Sequence, residues 1–252
     1  MILRKIAVSG AKWSIVGTIG SSLFQLIQIS ILTRFLPKEA FGLVAMALFV
    51  VQFTNVFVDM GMSSAILHHQ NSSSKEYSSI YWLNIFISGF LYILLVLSSP
   101  YIAQFYEEPE IRMLLPVLGL NLLFVAMGRQ HRTIMQKRFQ FKEIALIDLI
   151  SFFSGVVLAI ILAIYEYGVY SLVFSTLTAS LVSNALFLIQ NLRQNSILLH
   201  FCLKEVRPFL RIGGFSMGST LLDFFSRETD VLIIGKMLGA ESLGLYSFLS
   251  KL

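Results

Sequence analysis

The sequence has few charged residues, a single cysteine and no long polar segment, and each shortage excludes a class of protein. Only 13% of its 252 residues are charged and 56% are hydrophobic, whereas ordinary soluble domains carry about 25% charged residues. This composition predicts a membrane protein. The single cysteine, Cys202, excludes a framework of internal disulfides.

The polar segments between the hydrophobic runs are too short for a catalytic domain, which needs at least about 50 residues. The sequence has no glycine-rich phosphate loop and no paired cysteines that suggest zinc. His68 and His69 are adjacent and so point to different helix faces, and His131 and His200 are isolated. We therefore expect no catalytic residue, no metal site, no organic cofactor and no enzymatic activity.

Hydrophobic runs long enough to span a bilayer recur along the whole chain. A span needs roughly 20 mostly apolar residues, and the two-residue alternation of a β-barrel is absent. We predict an all-α, polytopic membrane helix bundle. The predicted spans are Trp13–Leu36, Phe41–Met62, Ile80–Phe105, Met113–Gly128, Ile144–Tyr165, Val169–Gln190 and Ile212–Leu238, and an eighth begins near Ser242.

The net charge of +5 comes from basic residues that lie between these spans, so it indicates membrane topology and not a nucleic-acid partner. The odd-numbered gaps hold only Arg34, Lys38, Arg112 and Lys236, with most of the glutamates. The N-terminus and the even-numbered gaps hold Arg4, Lys5, Lys12, Lys75, Arg129, Arg132, Lys137, Arg138, Lys142, Arg193, Lys204, Arg207 and Arg211. This bias predicts that the N-terminus is cytoplasmic.

One stretch of the sequence is repeated. Ser14, Thr18, Leu36, Glu39, Gly42 and Leu43 recur in order 202 positions later, as Ser216, Thr220, Leu238, Glu241, Gly244 and Leu245. Six predicted spans separate the copies, so both point the same way, as in transporters built from parallel repeats. We predict a six-helix bundle over 1–195 and the start of a second bundle over 196–252. We also expect the chain to be the first part of a protein nearly twice as long.

Each copy of the repeat carries a polar stripe along one helix face. In the first copy the stripe is Ser14, Thr18, Ser21, Gln25 and Gln28, at spacings of three and four residues. In the second copy it is Ser216, Thr220, Asp223, Arg227 and Asp230. A polar stripe within a span must face protein or water. We therefore name Gln25, Gln28, Asp223, Arg227 and Asp230 as candidates for a substrate path; the alternative is a neutralised cluster that only fixes helix packing.

Further polar residues lie near the ends of the predicted spans. Asn55 and Asp59, one helical turn apart, are further substrate-path candidates or have a helix-terminal structural role. Arg34 and Lys236 occupy equivalent outer ends and are candidates for contacts with an anionic headgroup, although we prefer the explanation that they only extend to the membrane interface. The basic segments Arg129–Lys142 and Lys204–Arg211 attract an anionic lipid-linked substrate or merely set topology.

Several short motifs resemble those of bacterial flippases for polysaccharide repeat units. They are Ser9-Gly-Ala-Lys-Trp-Ser14, Phe41-Gly-Leu43, Asp59-Met-Gly61, Tyr81-Trp-Leu-Asn84, Met135-Gln-Lys137 and the stretch Gly235–Tyr246. The sequence is most similar to the colanic-acid and lipopolysaccharide exporter branch of the multidrug/oligosaccharidyl-lipid/polysaccharide (MOP) superfamily.

The resemblance implies two helix bundles around a central cavity lined by the first and seventh helices. It implies alternating-access transfer of an anionic, undecaprenyl-diphosphate-linked oligosaccharide from the inner to the outer leaflet, for lipopolysaccharide, exopolysaccharide or capsule. Arg227 would meet the diphosphate or sugar acids, and Asp223 and Asp230 would tune it or couple transport to H⁺ or Na⁺. Membrane lipids and other polysaccharide assembly proteins are the implied partners.

Three other functions stay open on the sequence. A multidrug/cation antiporter of the same superfamily would use an acidic site such as Asp59 or Asp223. A membrane polymerase or ligase would need a large outward loop, and the outer gaps are only a few residues long. A structural fragment without transport activity is the third.

Overall fold

The structure is a computed structural model, and it describes residues 2–69, 73–192 and 198–249. All regular structure in these ranges is helical, as the sequence predicts. The helices are α1 (Ile2–Leu32), α2 (Lys38–Asp59), α3 (Met62–His68), α4 (Ser74–Tyr106), α5 (Ile111–Lys137), α6 (Phe141–Ile164), α7 (Tyr170–Leu192) and α8 (Leu203–Leu249).

Six of these helices are long and apolar enough to cross a membrane. They are the segments Ser9–Leu32, Lys38–Asp59, Ser74–Tyr106, Ile111–Lys137, Phe141–Ile164 and Tyr170–Gln190. The predicted seventh span is helical but is not among the six, because Asp223, Arg227, Glu228, Asp230 and Lys236 lower its hydropathy. The predicted boundary at 195–196 and the eighth span's end at Leu252 lie outside the described residues.

The fourth span was predicted too short. Helix α5 continues past Gly128 to Lys137, so Arg129, Arg132 and Lys137 belong to a helix and not to a cytoplasmic loop. The prediction ended the span at Gly128 because the cations that follow were assigned to a segment between spans. Arg129 and Arg132 are instead paired with Asp59 and Asp148 inside the protein, which removes the reason to end the span before them.

Contacts between helices place α6 between α1 and α7, and α5 between α4 and α7. Helix α2 lies against α5 on one side and against α8 on the other. Small residues let these helices approach closely: a side chain at Gly155 would meet Ala179 and Ser175 on α7. Helices α1, α2, α5, α6 and α7 thereby surround a space that the aliphatic core does not fill.

Helix α8 contains a break that matches the repeat. Gly239 has φ 77° and ψ −179°, a conformation that would be strained in a residue with a side chain. It divides α8 into two segments. Gly239 is the repeat counterpart of Pro37, which precedes α2. The two segments of α8 therefore correspond to α1 and α2.

The two copies of the repeat contact each other reciprocally at the end of the bundle where α2 begins, which we call the outer end after its predicted orientation, the opposite end being the inner end. A side-chain carbon at Gly42 would overlap the carbonyl of Ala240, and one at Gly244 would overlap the carbonyl of Lys38. Gly42 and Gly244 are repeat counterparts, and so are Lys38 and Ala240. Gly42 thus contacts Ala240, and their repeat counterparts Gly244 and Lys38 contact each other. Reciprocal contacts of this kind indicate that a two-fold axis relates the two elements. The axis passes between the start of α2 and the second segment of α8.

At the inner end, the segment before α8 is attached to the start of α4. The Ser79 hydroxyl donates to Glu205 Oε2 at 2.7 Å and accepts from the Cys202 amide at 3.1 Å, while His200 Nε2 lies 3.0 Å from Glu205 Oε1. The Ser78 hydroxyl accepts from the Leu198 amide. The hydrogen bonds from Ser79 and His200 hold the pKa of Glu205 below its ordinary value of 4.5.

Replacing Gly42 by leucine is expected to destabilise the α2–α8 contact by about 3 kcal/mol, because the added side chain overlaps backbone that cannot move aside. Chemical denaturation of the protein in detergent micelles measures this change. Gly218→Leu is the matched control, since nothing lies within 4 Å of a side-chain carbon at this α8 position. Equal stability of the two variants would refute the close packing.

The attachment at Glu205 predicts a pH dependence. A pKa lowered in the folded protein stabilises the fold above the ordinary value of 4.5, and that stabilisation is lost as the pH falls through the lowered pKa. The difference in melting temperature between the native protein and Ser79→Ala should therefore be larger at pH 7 than at about pH 3. Ser78→Ala, which removes a hydroxyl without a carboxylate partner, should show a difference that does not change with pH. A pH-independent effect of Ser79→Ala would count against the assignment.

Candidate functional site

The polar stripe of α1 faces two adjoining cavities inside the helix bundle. Ser14, Thr18 and Ser21 line the inner cavity, of about 350 Å³, with α5 and α6. Gln28 lines the larger cavity, of about 540 Å³, and Gln25 lines both. The stripe therefore continues from one cavity into the other along a single helix face.

The larger cavity has both apolar walls and a set of amide and hydroxyl groups. Gln28 Nε2 donates to Ser175 Oγ on α7 at 2.9 Å. The Ser180 hydroxyl donates to Asn121 Oδ1 of α5, and Asn184 Nδ2 donates to the Ser180 carbonyl at 2.8 Å. Polar side chains lining this cavity are Gln25, Gln28, Gln52, Asn121, Arg132, Asp148, Ser151, Ser175, Thr176, Ser180, Ser183, Asn184 and Ser247.

An ion pair lies where the two cavities adjoin. Arg132 on α5 donates through Nη1 to Asp148 Oδ1 at 3.1 Å and through Nη2 to Asp148 Oδ2 at 2.8 Å. The two-pronged geometry satisfies both carboxylate oxygens. The Phe187 ring lies 5.3 Å from the guanidinium carbon. Both residues line both cavities, and Arg132 is 41% exposed against 19% for Asp148.

A second pair occupies another cavity, of about 340 Å³, at the inner end of α2. Arg129 Nη1 lies 3.7 Å from Asp59 Oδ1 and donates to the Asn55 carbonyl at 3.2 Å. Ser63 Oγ donates to the same Asp59 oxygen at 2.6 Å. Thr220 of α8 lines the opposite wall. Both candidates from α2, Asn55 and Asp59, are thus brought together with the stripe of α8.

The charged part of the α8 stripe is placed differently from the α1 stripe. Asp223 and Arg227 are exposed, and no salt bridge links Arg227 to a carboxylate among residues 2–69, 73–192 and 198–249. Asp230 accepts from the Tyr246 hydroxyl and from the amide of Val231. None of these three charged residues lines the cavities that contain Gln25 and Gln28, so their role in a substrate path stays a prediction.

The two headgroup candidates also differ. Arg34 is exposed in the turn between α1 and α2. Lys236 Nζ lies 2.7 Å from Glu107 Oε1 and above the Phe105 ring, and this contact lowers the pKa of Glu107 below its ordinary value. Lys236 therefore already has an anionic partner in the turn after α4.

Sequence reasoning missed three residues of the site. The sequence analysis places Arg129 and Arg132 in a basic segment between spans and names no role for Asp148. The available signal was the spacing: Arg132 and Gln136 are four residues apart, as one face of a continued helix requires, and both line the inner cavity.

A family model described as "Polysaccharide biosynthesis protein" matches residues 31–252 of the chain. The Teichuronic acid biosynthesis protein TuaB of Bacillus subtilis is 29% identical over 97% of this chain and 51% of its own length. The Lipopolysaccharide biosynthesis protein WzxC of Escherichia coli is 26% identical over 98% of the chain and 50% of its own. The Succinoglycan biosynthesis transport protein ExoT of Rhizobium meliloti is 27% identical over 96% and 49%.

The chain therefore spans about half the length of the curated relatives that it matches. No solved structure gives a significant match.

Removing one member of the Arg132–Asp148 pair should destabilise the protein more than removing both. Arg132→Leu and Asp148→Leu are each expected to cost about 2 kcal/mol, because the remaining charge is left without its partner. The double variant should cost less than the sum of the two, with a coupling of about 1 kcal/mol or more. Urea denaturation in micelles measures the cycle, and Arg112→Leu, at an exposed outer position, is the control. Strict additivity would show that the pair does not interact.

Proposed function

The chain belongs to the polysaccharide biosynthesis protein family, and on that premise we propose that it is part of a transporter for lipid-linked oligosaccharides. The transporter carries repeat units from the inner to the outer leaflet of the bacterial cytoplasmic membrane, for assembly into surface polysaccharide. The names of two relatives refer to lipopolysaccharide biosynthesis and to succinoglycan transport. These products share one requirement: sugars assembled on one side of a membrane must reach the other.

The observation that carries this proposal is the polar interior formed by α1, α5, α6 and α7 within membrane-spanning helices. Gln25 and Gln28 lie on a helix that would otherwise need to present apolar side chains on every face. Amides and hydroxyls both donate and accept hydrogen bonds, which suits the hydroxyl groups of sugars. Moving an intact substrate makes and breaks no covalent bond, so the proposed function is transport and not enzymatic catalysis.

The inner surface supports a lipid-linked substrate. Lys204, Arg207 and Arg211 are exposed on the first turns of α8, and together with Pro208 and Ile212 they line an open surface cavity. Basic side chains beside an apolar surface attract anionic lipid headgroups. We propose that this face meets the phosphates of the lipid carrier, with the N-terminus on the same, cytoplasmic, side.

The antiporter alternative has less support from the site. Cation exchange needs an acidic group that can bind and release a cation, but Asp59 and Asp148 are each paired with an arginine. Asp223 is exposed on α8, outside the cavities that the α1 stripe lines. Coupling of transport to H⁺ or Na⁺ remains part of the proposal.

Deleting the gene in its source bacterium should reduce surface polysaccharide and accumulate lipid-linked repeat units in the inner leaflet. Restoring the gene with Gln28→Leu should recover about one tenth of the native transport, because one polar contact in the path is worth roughly 1.4 kcal/mol. Extraction and chromatography of lipid-linked sugars from spheroplasts measures both effects.

Gln104→Leu is the matched control, since Gln104 is exposed near the end of α4 and lines neither cavity; it should restore native transport. A deletion strain with normal surface polysaccharide and no accumulated precursor would refute the proposed function.

A further inference from the structure

A further groove lies at the inner end of the α1–α6 contact. It has a volume of about 330 Å³ and is lined by Ser9, Gly10 and Trp13 of α1 and by residues 139 and 141–143 around the start of α6. The membrane-spanning segments of α1 and α6 begin at Ser9 and Phe141, respectively. The groove therefore lies at the inner membrane boundary, where lipid headgroups meet the protein.

Aromatic rings form the apolar part of this groove. A side-chain carbon at Gly10 would lie 2.7 Å from Phe141 Cδ2, so the absence of a side chain there allows the Phe141 ring to pack on α1. The Phe139 ring lies 6.2 Å from the Phe141 ring, and Phe139 is 59% exposed. Trp13 is half-buried in the α1 wall. Tryptophan is enriched at this depth of membrane proteins because its ring system is largely apolar but carries a polar N–H.

The groove also contains one cation and one acid. Lys142 is exposed, and its Nζ lies 5.5 Å from the centre of the Trp13 ring. Glu143 follows it and is half-buried. Consecutive residues of a helix do not face each other, and neither side chain forms an ion pair within the part of the chain that the structure describes. Both charges are therefore available to one ligand that carries a negative and a positive group.

An apolar stripe on α6 continues from Lys142 into the membrane. Leu146, Ile150 and Phe153 follow Lys142 at intervals of four, four and three residues, so they share its helix face. All three are exposed, and the Phe153 ring contacts Phe24 of α1. The charged groove thus lies at the end of an apolar surface, and this arrangement matches the headgroup and the acyl chains of a single phospholipid.

We infer that this groove binds the headgroup of a phospholipid that carries both a phosphate and a primary amine, as phosphatidylethanolamine does. The Lys142 ammonium and the Ser9 hydroxyl donate to the phosphate, and the Glu143 carboxylate accepts from the amine. The acyl chains lie along the α6 stripe. The groove is outside the proposed sugar path, so the inference does not depend on the transported substrate. Because α1 and α6 both form the groove, a bound lipid stabilises the contact between them.

The test uses Trp13 as a reporter inside the groove. The chain has two tryptophans, and Trp82→Phe leaves Trp13 as the single one. The 252-residue chain with this substitution is placed in phosphatidylcholine bilayers that contain increasing fractions of phosphatidylethanolamine or phosphatidylglycerol with brominated acyl chains. Bromine quenches tryptophan fluorescence only at short range, so quenching measures the lipid bound at the groove. Phosphatidylethanolamine should bind about tenfold more tightly than phosphatidylglycerol, which has the phosphate but no amine.

Three variants identify the groups involved. Glu143→Gln removes the charged acceptor for the amine and should lower binding of phosphatidylethanolamine about tenfold while leaving binding of phosphatidylglycerol unchanged. Lys142→Gln removes the charged donor to the phosphate and should weaken binding of both lipids. Lys12→Gln is the matched control, because Lys12 is exposed beside Trp13 but does not line the groove, and it should leave both affinities unchanged. Circular dichroism verifies the helical content of each variant.

Each outcome has a defined meaning. A preference for phosphatidylethanolamine that Glu143→Gln abolishes and Lys12→Gln preserves supports the inference. Equal binding of the two lipids with Glu143 intact, or a preference that survives Glu143→Gln, would overturn it.

Unlabelled undecaprenyl phosphate, which has a phosphate and no amine, separates a membrane phospholipid from the carrier lipid. Phosphatidylethanolamine should displace its own brominated form at the lower concentration of the two. If undecaprenyl phosphate is the better competitor, the groove binds the carrier and the inference is wrong. All of these results are independent of precursor accumulation in the deletion strain, so failure of the inference is distinguishable from failure of the proposed function.

Discussion

The low polarity of the membrane interior is the constraint on which the whole structure depends. An ionised group there needs a partner, and an amide or hydroxyl needs a hydrogen bond. The helices meet this requirement by placing two cations of α5 beside acids on other helices, Asp59 for Arg129 and Asp148 for Arg132. The Arg132–Asp148 pair lies in a cavity that also contains uncharged polar groups, and this cavity is the path that we propose for sugars.

The same constraint explains why the two stripes of the repeat diverge in chemistry. The α1 stripe faces cavities that already contain an ion pair, and its own members are uncharged. A further charge at Gln25 would stand next to Arg132 and Asp148 and would compete for one of them. The α8 counterpart of Gln25 is Arg227, which is exposed and does not face that pair. The repeat thus places polar residues at the same helical positions in both copies. Whether those residues are charged differs between the copies, because only the α1 stripe faces the Arg132–Asp148 pair.

Sequence patterns predicted the helices and the repeat well because both follow from local composition. Span length, the polar stripe of α1 and the outer-end equivalence of Gly42 and Gly244 all appear in the sequence without knowledge of neighbours. The ion pairs could not be found in this way. Arg132 and Asp148 are separated by the turn after α5, and only their packing shows that they meet. A lysine or arginine at the end of a span has the same sequence signature whether it marks topology or reaches inward.

Reciprocal glycine contacts join the two copies of the repeat. A two-fold axis between Gly42 and Gly244 relates the start of α2 to the second segment of α8. The first segment of α8 lies along α2, through contacts that include Gly61 against Gly213 at the inner end. Close backbone contacts at both ends of α2 fix its position against α8. Helix α1, in contrast, packs mainly on α6, so the α1 stripe is held against the cavity by α6, the helix that supplies Asp148. The position of the α1 stripe in the polar interior therefore depends on the α1–α6 contact, and the contact between the repeats depends on α2, which also supplies part of the cavity wall.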